Sequence, residues 1–236
     1  MSSEGFLLRF LLGLTGSLAA VSLAAGCAVS GRHVEAHVLG AGVERGFTLA
    51  GEVRSPVIAG EAQQGRLEPR FGRIASALAG KPLEVRCWSA PNWRDLMREV
   101  QSYTDGKLGP GTLAFADIGG TRINLGPAVC DGLVDLAYKR LRPTAESGQL
   151  ILAAAVVTLS HEPQHSKGIA EESIAECNAI QLASGTAIKL GASPAYAQAL
   201  VRTYWRYYGE ELPAYRSTEC RKGGKLDLGR TDSIWP

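Results

Sequence analysis

The strongest constraint on this chain is a pair of histidines, His161 and His165, placed four residues apart at the end of an apolar run covering residues 150–159. A helix brings positions i and i+4 onto one face, one side chain above the other. Two ring nitrogens can then reach a single cation. Glu162 is turned about 100° from His161 around such a helix, where it can hold a water instead of binding the cation. The sequence has only four histidines, so half of them fall in this short stretch. His33 and His37 repeat the spacing near the N-terminus, in a tether-like segment, and are read as bystanders.

The stretch His161-Glu162-Pro163-Gln164-His165 fits H-E-x-x-H, in which both histidines bind Zn²⁺ and the glutamate serves as general base. Zn²⁺ is therefore the expected cofactor, and it needs a third protein ligand. The metzincin arrangement puts a His or Asp six residues beyond the second His, followed downstream by a methionine turn. Here that position holds Glu171, and the two methionines, Met1 and Met97, precede the motif, so that arrangement is excluded. The gluzincin arrangement takes a Glu from the next helix, with a second acid four residues later. Glu172 and Glu176 have that spacing and share a helical face with Ala179 and Ala183, whose small side chains let two helices approach closely. The expected metal ligands are His161, His165 and Glu172, with Glu176 accepting a hydrogen bond from a ligating imidazole. A competing reading makes Glu172 and Glu176 solvent-facing acids favoured by a helix N-terminus, as Glu171 is expected to be. The candidate catalytic residues are Glu162, as base, and Tyr215, as a second electrophile for an oxyanion. Tyr204, Tyr207 and Tyr208 are alternatives to Tyr215, and for each of these tyrosines simple core packing is the plainer expectation.

Residues 6–29 are almost wholly small and apolar, with Arg9 as the only charge. They read as an export signal or a signal anchor and stand outside the fold, since roughly 20 apolar residues can span a bilayer. Their end, Leu23-Ala24-Ala25-Gly26-Cys27, looks like a bacterial lipobox with Cys27 as the lipidation site, although Ala24 stands where a large aliphatic residue is usual. A lipid anchor, a membrane helix or ordinary secretion each place the remaining chain outside the cytoplasm. Four cysteines then remain: Cys87, Cys130, Cys177 and Cys220. An even set in an exported domain implies two disulfides with three possible connectivities; the expected one pairs Cys87 with Cys130 and Cys177 with Cys220. A zinc site of all four is not expected, because no two lie within four residues of each other. The net charge is only +2, without a concentrated basic stripe, so nucleic acid is not an expected partner. Arg202, Arg206, Arg216 and Arg221 are read as a solvated face. With 45% hydrophobic and 20% charged residues, the chain is neither a disordered tail nor a coiled coil nor a multi-span membrane protein.

The remaining pattern is α+β, with residues 28–65 as a tether with weak strands and 66–236 as one domain. Apolar spacing predicts a helix over 67–78, stopped by Gly80-Lys81-Pro82, and a strand over 83–88. A short helix over 93–101 would be capped by Asn92. Residues 111–125 read as a hairpin turning at 117–120. Further helices are expected over 128–141, 147–166, 170–190 and 195–208, with little regular structure after 212. The expected architecture is a small antiparallel sheet packed on a helical core.

The stretch 112–181 resembles compact bacterial gluzincins related to the minigluzincin peptidases. The resemblance rests on the H-E-x-x-H helix, the Glu-bearing helix, and Ile123-Asn124-Leu125 with Pro127 just after, which is similar to the edge strand that aligns substrate in that clan. The runs Glu172-Ser173-Ile174-Ala175-Glu176-Cys177 and Cys220-Arg221-Lys222-Gly223-Gly224-Lys225-Leu226-Asp227-Leu228 resemble exported actinobacterial proteins without an assigned substrate. The resemblance implies a zincin-like fold and an exported, membrane-anchored zinc metallopeptidase acting on peptide or protein substrates through metal-activated water. Pro163 departs from the family pattern. A proline inside a helix cannot donate to the carbonyl four residues back, here Leu159, and costs roughly 3 kcal/mol. The resulting kink is either tolerated or splays His161 from His165 and weakens the metal. That departure supports a second expectation, the same scaffold without effective zinc, acting as an envelope binding or structural lipoprotein.

Overall fold

The computed structural model describes residues 65–103, 108 and 111–230. The expected export segment, the lipidation site Cys27, His33 and His37, and nearly all of the tether lie outside the described residues.

Proline and glycine set several element ends. Helix α1 (Pro69–Ala79) starts with a proline, whose missing N–H costs nothing in a first turn, and stops at Gly80, whose φ of 73° lets its N–H close on Ser76 O. It follows a short strand β1 (Arg66–Leu67) and leads to β2 (Glu84–Cys87). Helix α2 (Ala90–Tyr103) comes next, then the hairpin strands β3 (Ala114–Ala116) and β4 (Arg122–Leu125). The remaining helices are α3 (Pro127–Ala137), α4 (Glu146–Ser166), α5 (Glu172–Lys189) and α6 (Pro194–Tyr208), followed by a 3₁₀ turn at Pro213–Tyr215. The expected α+β class holds.

The sheet order is β1-β2-β4-β3. The hairpin is antiparallel as expected, pairing Ala114 with Leu125 and Ala116 with Ile123. The sheet as a whole is mixed, however, because β2 and β4 run parallel. The chain leaves β2 through α2 and returns along β3, so β4 points the same way as β2. This corrects the expected antiparallel sheet. It also corrects the edge-strand reading of Ile123-Asn124-Leu125, since β4 is an inner strand and β3 flanks it on the outside.

Two helix ends differ from expectation. Asn92 does not cap α2; Ser89 precedes the helix and accepts the Trp93 N–H on its carbonyl at 2.8 Å, placing Asn92 inside the first turn. Helix α3 stops at Ala137 instead of 141, because Arg140 adopts a positive φ of 55°. The Arg142 guanidinium donates to the carbonyls of Leu136 (3.0 Å) and Gly191 (2.6 Å), covering carbonyls that the helix ends leave open.

Every residue of α4 from 152 to 166 is buried. That explains its lack of an amphipathic face: α5, α3, α6, α1 and β3 all pack around it. Helix α3 comes so close that a Cβ on Gly132 would lie 2.8 Å from the Ala155 Cβ. On the other side of the hairpin, Trp88, Trp93, Leu96, Met97, Val100, Leu108 and Phe115 form an apolar cluster.

Both expected disulfides are present, Cys87–Cys130 and Cys177–Cys220. The first ties β2 to α3; the second ties α5 to the C-terminal segment. Gln181 adds to the second tie, donating to Leu226 O at 2.8 Å and accepting the Leu228 N–H at 2.7 Å. Two disulfides point to an extracytoplasmic location, where such bonds form and persist. Among the described residues no helix is long and apolar enough to cross a membrane.

Candidate metal centre

The centre forms where α4 ends and α5 begins. Gly168, with a φ of 100°, donates to His165 O at 2.8 Å and Ile169 donates to Gln164 O at 3.1 Å, so the chain reverses within a few residues. The hairpin adds a second clamp, because Gly119 N–H reaches the same His165 carbonyl at 2.9 Å. Helix α5 then opens with Glu172 facing the last turns of α4. Ala175, Ala179 and Ala183 are buried along this helix, and their small side chains permit the close α4–α5 packing expected from the sequence.

The three expected ligands converge. His161 Nε2 lies 2.8 Å from His165 Nε2 and 3.0 Å from Glu172 Oε2, and His165 Nε2 is 3.4 Å from that same oxygen. Ligands of one tetrahedral zinc, with bonds of about 2.0–2.1 Å, lie about 3.3 Å apart. This His/His/Glu group could hold a metal ion.

The outer nitrogens decide which atoms face inward. His165 Nδ1 is 2.7 Å from Ile169 O, and a carbonyl can only accept, so Nδ1 carries the hydrogen. His161 Nδ1 likewise donates to Glu176 Oε2 at 2.8 Å. In neutral rings both Nε2 atoms are therefore lone pairs, aimed at each other and at a carboxylate oxygen. Such a set requires a cation at its centre.

Without a metal, a proton takes that part. Burial pulls the His161 pKa down, but hydrogen bonds to Glu172 and Glu176 outweigh it and raise the value to about 10. At His165 burial wins and the pKa falls. Burial would raise the Glu172 pKa, yet the hydrogen bond with His161 and the His165 ring beside it hold it below its ordinary value. Glu162 is pushed up to about 8, chiefly by burial, with His161 opposing. It is fully buried, and among the described residues neither carboxyl oxygen has a hydrogen-bond partner.

Glu171 is exposed, as expected of an ordinary N-terminal acid, whereas Glu172 and Glu176 turn inward; the solvent-facing reading of these two is overturned. Tyr215 is buried, with its ring 5.9 Å from that of His161. Tyr207 instead reaches Glu146 on the surface, and Tyr208 OH accepts the Ser217 N–H at 2.9 Å. Pro163 lies inside α4 without separating the histidines, so of the two expected consequences the tolerated proline holds and the splaying does not occur. Arg202, Arg206, Arg216 and Arg221 are all exposed.

Sequence reasoning missed three contacts at the centre: the Ile169 carbonyl on His165, the Gly119 amide at the end of α4, and the Tyr204 hydroxyl donating to Glu176 Oε1. Only Tyr204 carried a signal. It lies on the apolar stripe of α6 with Ala197, Leu200 and Val201, where a buried phenol needs a hydrogen-bond partner. Comparisons with family models, curated proteins and solved structures each return no match.

Proposed function

We propose that this chain is an exported zinc-dependent peptidase of gluzincin type, with His161, His165 and Glu172 holding the metal. One observation carries the reading: three lone-pair atoms, on two imidazoles and one carboxylate, converge on one point while both outer ring nitrogens are committed elsewhere. Two neutral imidazoles with one carboxylate are a donor set of the kind found in hydrolytic zinc sites. When bound, zinc supplies a Lewis acid that polarises a carbonyl and acidifies water.

The chain's own groups account for the remaining chemistry. Glu162, unpartnered among the described residues and adjacent to His161, is available to take a proton from water and pass it to a leaving amine. Glu176 holds the His161 ring so that Nε2 faces inward. Tyr215, packed beside that ring, is the group proposed to meet the developing oxyanion. The substrate class is a peptide or protein. Attachment to the membrane through a lipid on Cys27 belongs to the same proposal; fatty-acid labelling should be lost in Cys27→Ala and retained in Cys87→Ala.

The reading of an envelope module without effective zinc rested on Pro163. With the two Nε2 atoms 2.8 Å apart, the splaying it required is absent, and the metal reading is preferred. The test is hydrolysis of an unstructured protein substrate such as casein by the zinc-loaded chain. Glu162→Gln should retain zinc and lose about 10²–10⁴-fold in rate. Equal hydrolysis by Glu162→Gln, or none by the wild type with zinc bound, would overturn the peptidase assignment.

A further inference from the structure

Glu176 is 1% exposed, and a carboxylate so deeply buried keeps its orientation only if both oxygens are satisfied. Oε2 accepts from His161 Nδ1 at 2.8 Å, and Oε1 accepts from the Tyr204 hydroxyl. Tyr204 is 1% exposed and comes from α6, a third helix. The same hydroxyl lies 3.3 Å from Glu211 Oε1, beyond the end of α6. Its single hydrogen is committed to Glu176, the nearer acceptor. The result is a line of contacts across three helices: Tyr204 on α6, Glu176 on α5, His161 on α4.

We propose that Tyr204 is a positioning residue for the metal centre, acting through Glu176 to keep the His161 Nδ1–H tautomer and thereby present Nε2 as a ligand. This rests on the metal-binding reading above and extends it beyond the residues that touch the ion. Tyr204 is joined to the ligand His161 through this carboxylate. Loss of the hydroxyl removes a hydrogen bond that holds Oε1, and the carboxylate can then turn. That turn weakens its hold on Nδ1–H. Outer partners of this kind typically change metal affinity by about 10–100-fold.

The test compares Tyr204→Phe with Tyr207→Phe, which removes a phenol bonded to surface Glu146 and lies outside the site. Zinc affinity is measured by chelator competition, and ¹⁵N shifts of the His161 ring are recorded in the zinc-loaded chain, where the ring is neutral. Tyr204→Phe should weaken zinc about 10–100-fold and move the His161 Nδ1 signal as its hydrogen bond to Glu176 weakens; Tyr207→Phe should change neither. In a Glu176→Ala background the Tyr204→Phe effect on zinc should vanish, because the pair acts as one unit. Unchanged affinity and an unchanged His161 Nδ1 signal in Tyr204→Phe overturn the proposal. So does an undiminished effect in the Glu176→Ala background, which would mark Tyr204 as a packing residue only. A wild-type chain that binds no zinc overturns the metal reading itself, and this inference with it. A Tyr204→Phe chain that fails to fold leaves the decision to Glu176→Gln. That variant can still accept the His161 hydrogen on its amide oxygen, and should bind zinc more tightly than Glu176→Ala. Equal affinity in the two would overturn the line of contacts.

Discussion

Three lone pairs cannot share one point without positive charge between them, and in the metal-free chain His161 supplies it as a proton. The pKa of His161 rises from 6.5 to about 10. A raised folded-state pKa contributes stability that is full below the ordinary value and lost as pH rises through the folded value. Glu162, raised from 4.5 to about 8, works in the same direction, since ionising it inside the fold costs stability. The metal-free chain should therefore lose Tm steadily from about pH 6.5 to 10, and the zinc-loaded chain much less. Scanning calorimetry across that range checks this, and a flat profile for the metal-free chain would contradict it. Zinc uptake at pH 7 should also release at least about one proton, readable by titration calorimetry in buffers of different ionisation enthalpy. His161, His165, Glu172 and Glu176 were legible in the sequence because helical spacing is a local rule. The Ile169 carbonyl and the Tyr204 hydroxyl were not, because each depends on where a turn or a third helix comes to rest.

At the scale of elements, Pro163 and Gly132 make opposite predictions. Pro163 gives no N–H to Leu159 O, yet its helix runs on to Ser166 with the ligands aligned. Pro163→Ala should raise stability, by up to about 3 kcal/mol, and leave zinc affinity nearly unchanged. A large gain in affinity would show that the proline does distort the centre. Gly132→Ala would ordinarily strengthen a helix by about 1 kcal/mol. Here the new Cβ meets Ala155 at 2.8 Å, and overpacking should dominate, costing about 1–3 kcal/mol in urea unfolding. Helix positions were readable from apolar periodicity and from stops such as Gly80 and Gly168. The end of α3 was not, because Arg140 takes a conformation that glycine usually marks. Strand direction was equally hidden: β4 alternates the same way whether its neighbour runs with it or against it, and only the crossover through α2 decides.

At the scale of the described domain, the two disulfides close loops of equal separation, 43 residues each. Chain entropy alone assigns each a similar value, about 4 kcal/mol. Their positions differ in consequence. Cys177 follows Glu176 directly, and its bond to Cys220 holds the segment that carries Tyr215 against His161. Replacing Cys177 and Cys220 with Ala should weaken zinc binding as well as stability; replacing Cys87 and Cys130 should lower stability with little change in zinc affinity. Equal effects of both pairs on zinc would show that the C-terminal segment plays no part in shaping the centre. The central claim is that this domain is built to hold one metal ion between α4 and α5. Its most direct test is the zinc content of the chain, purified without chelators and measured by elemental analysis beside Glu172→Ala. The predicted result is about one zinc per wild-type chain and a clear loss in the variant. A folded wild-type chain that retains no zinc, or a Glu172→Ala chain that retains as much, would contradict it.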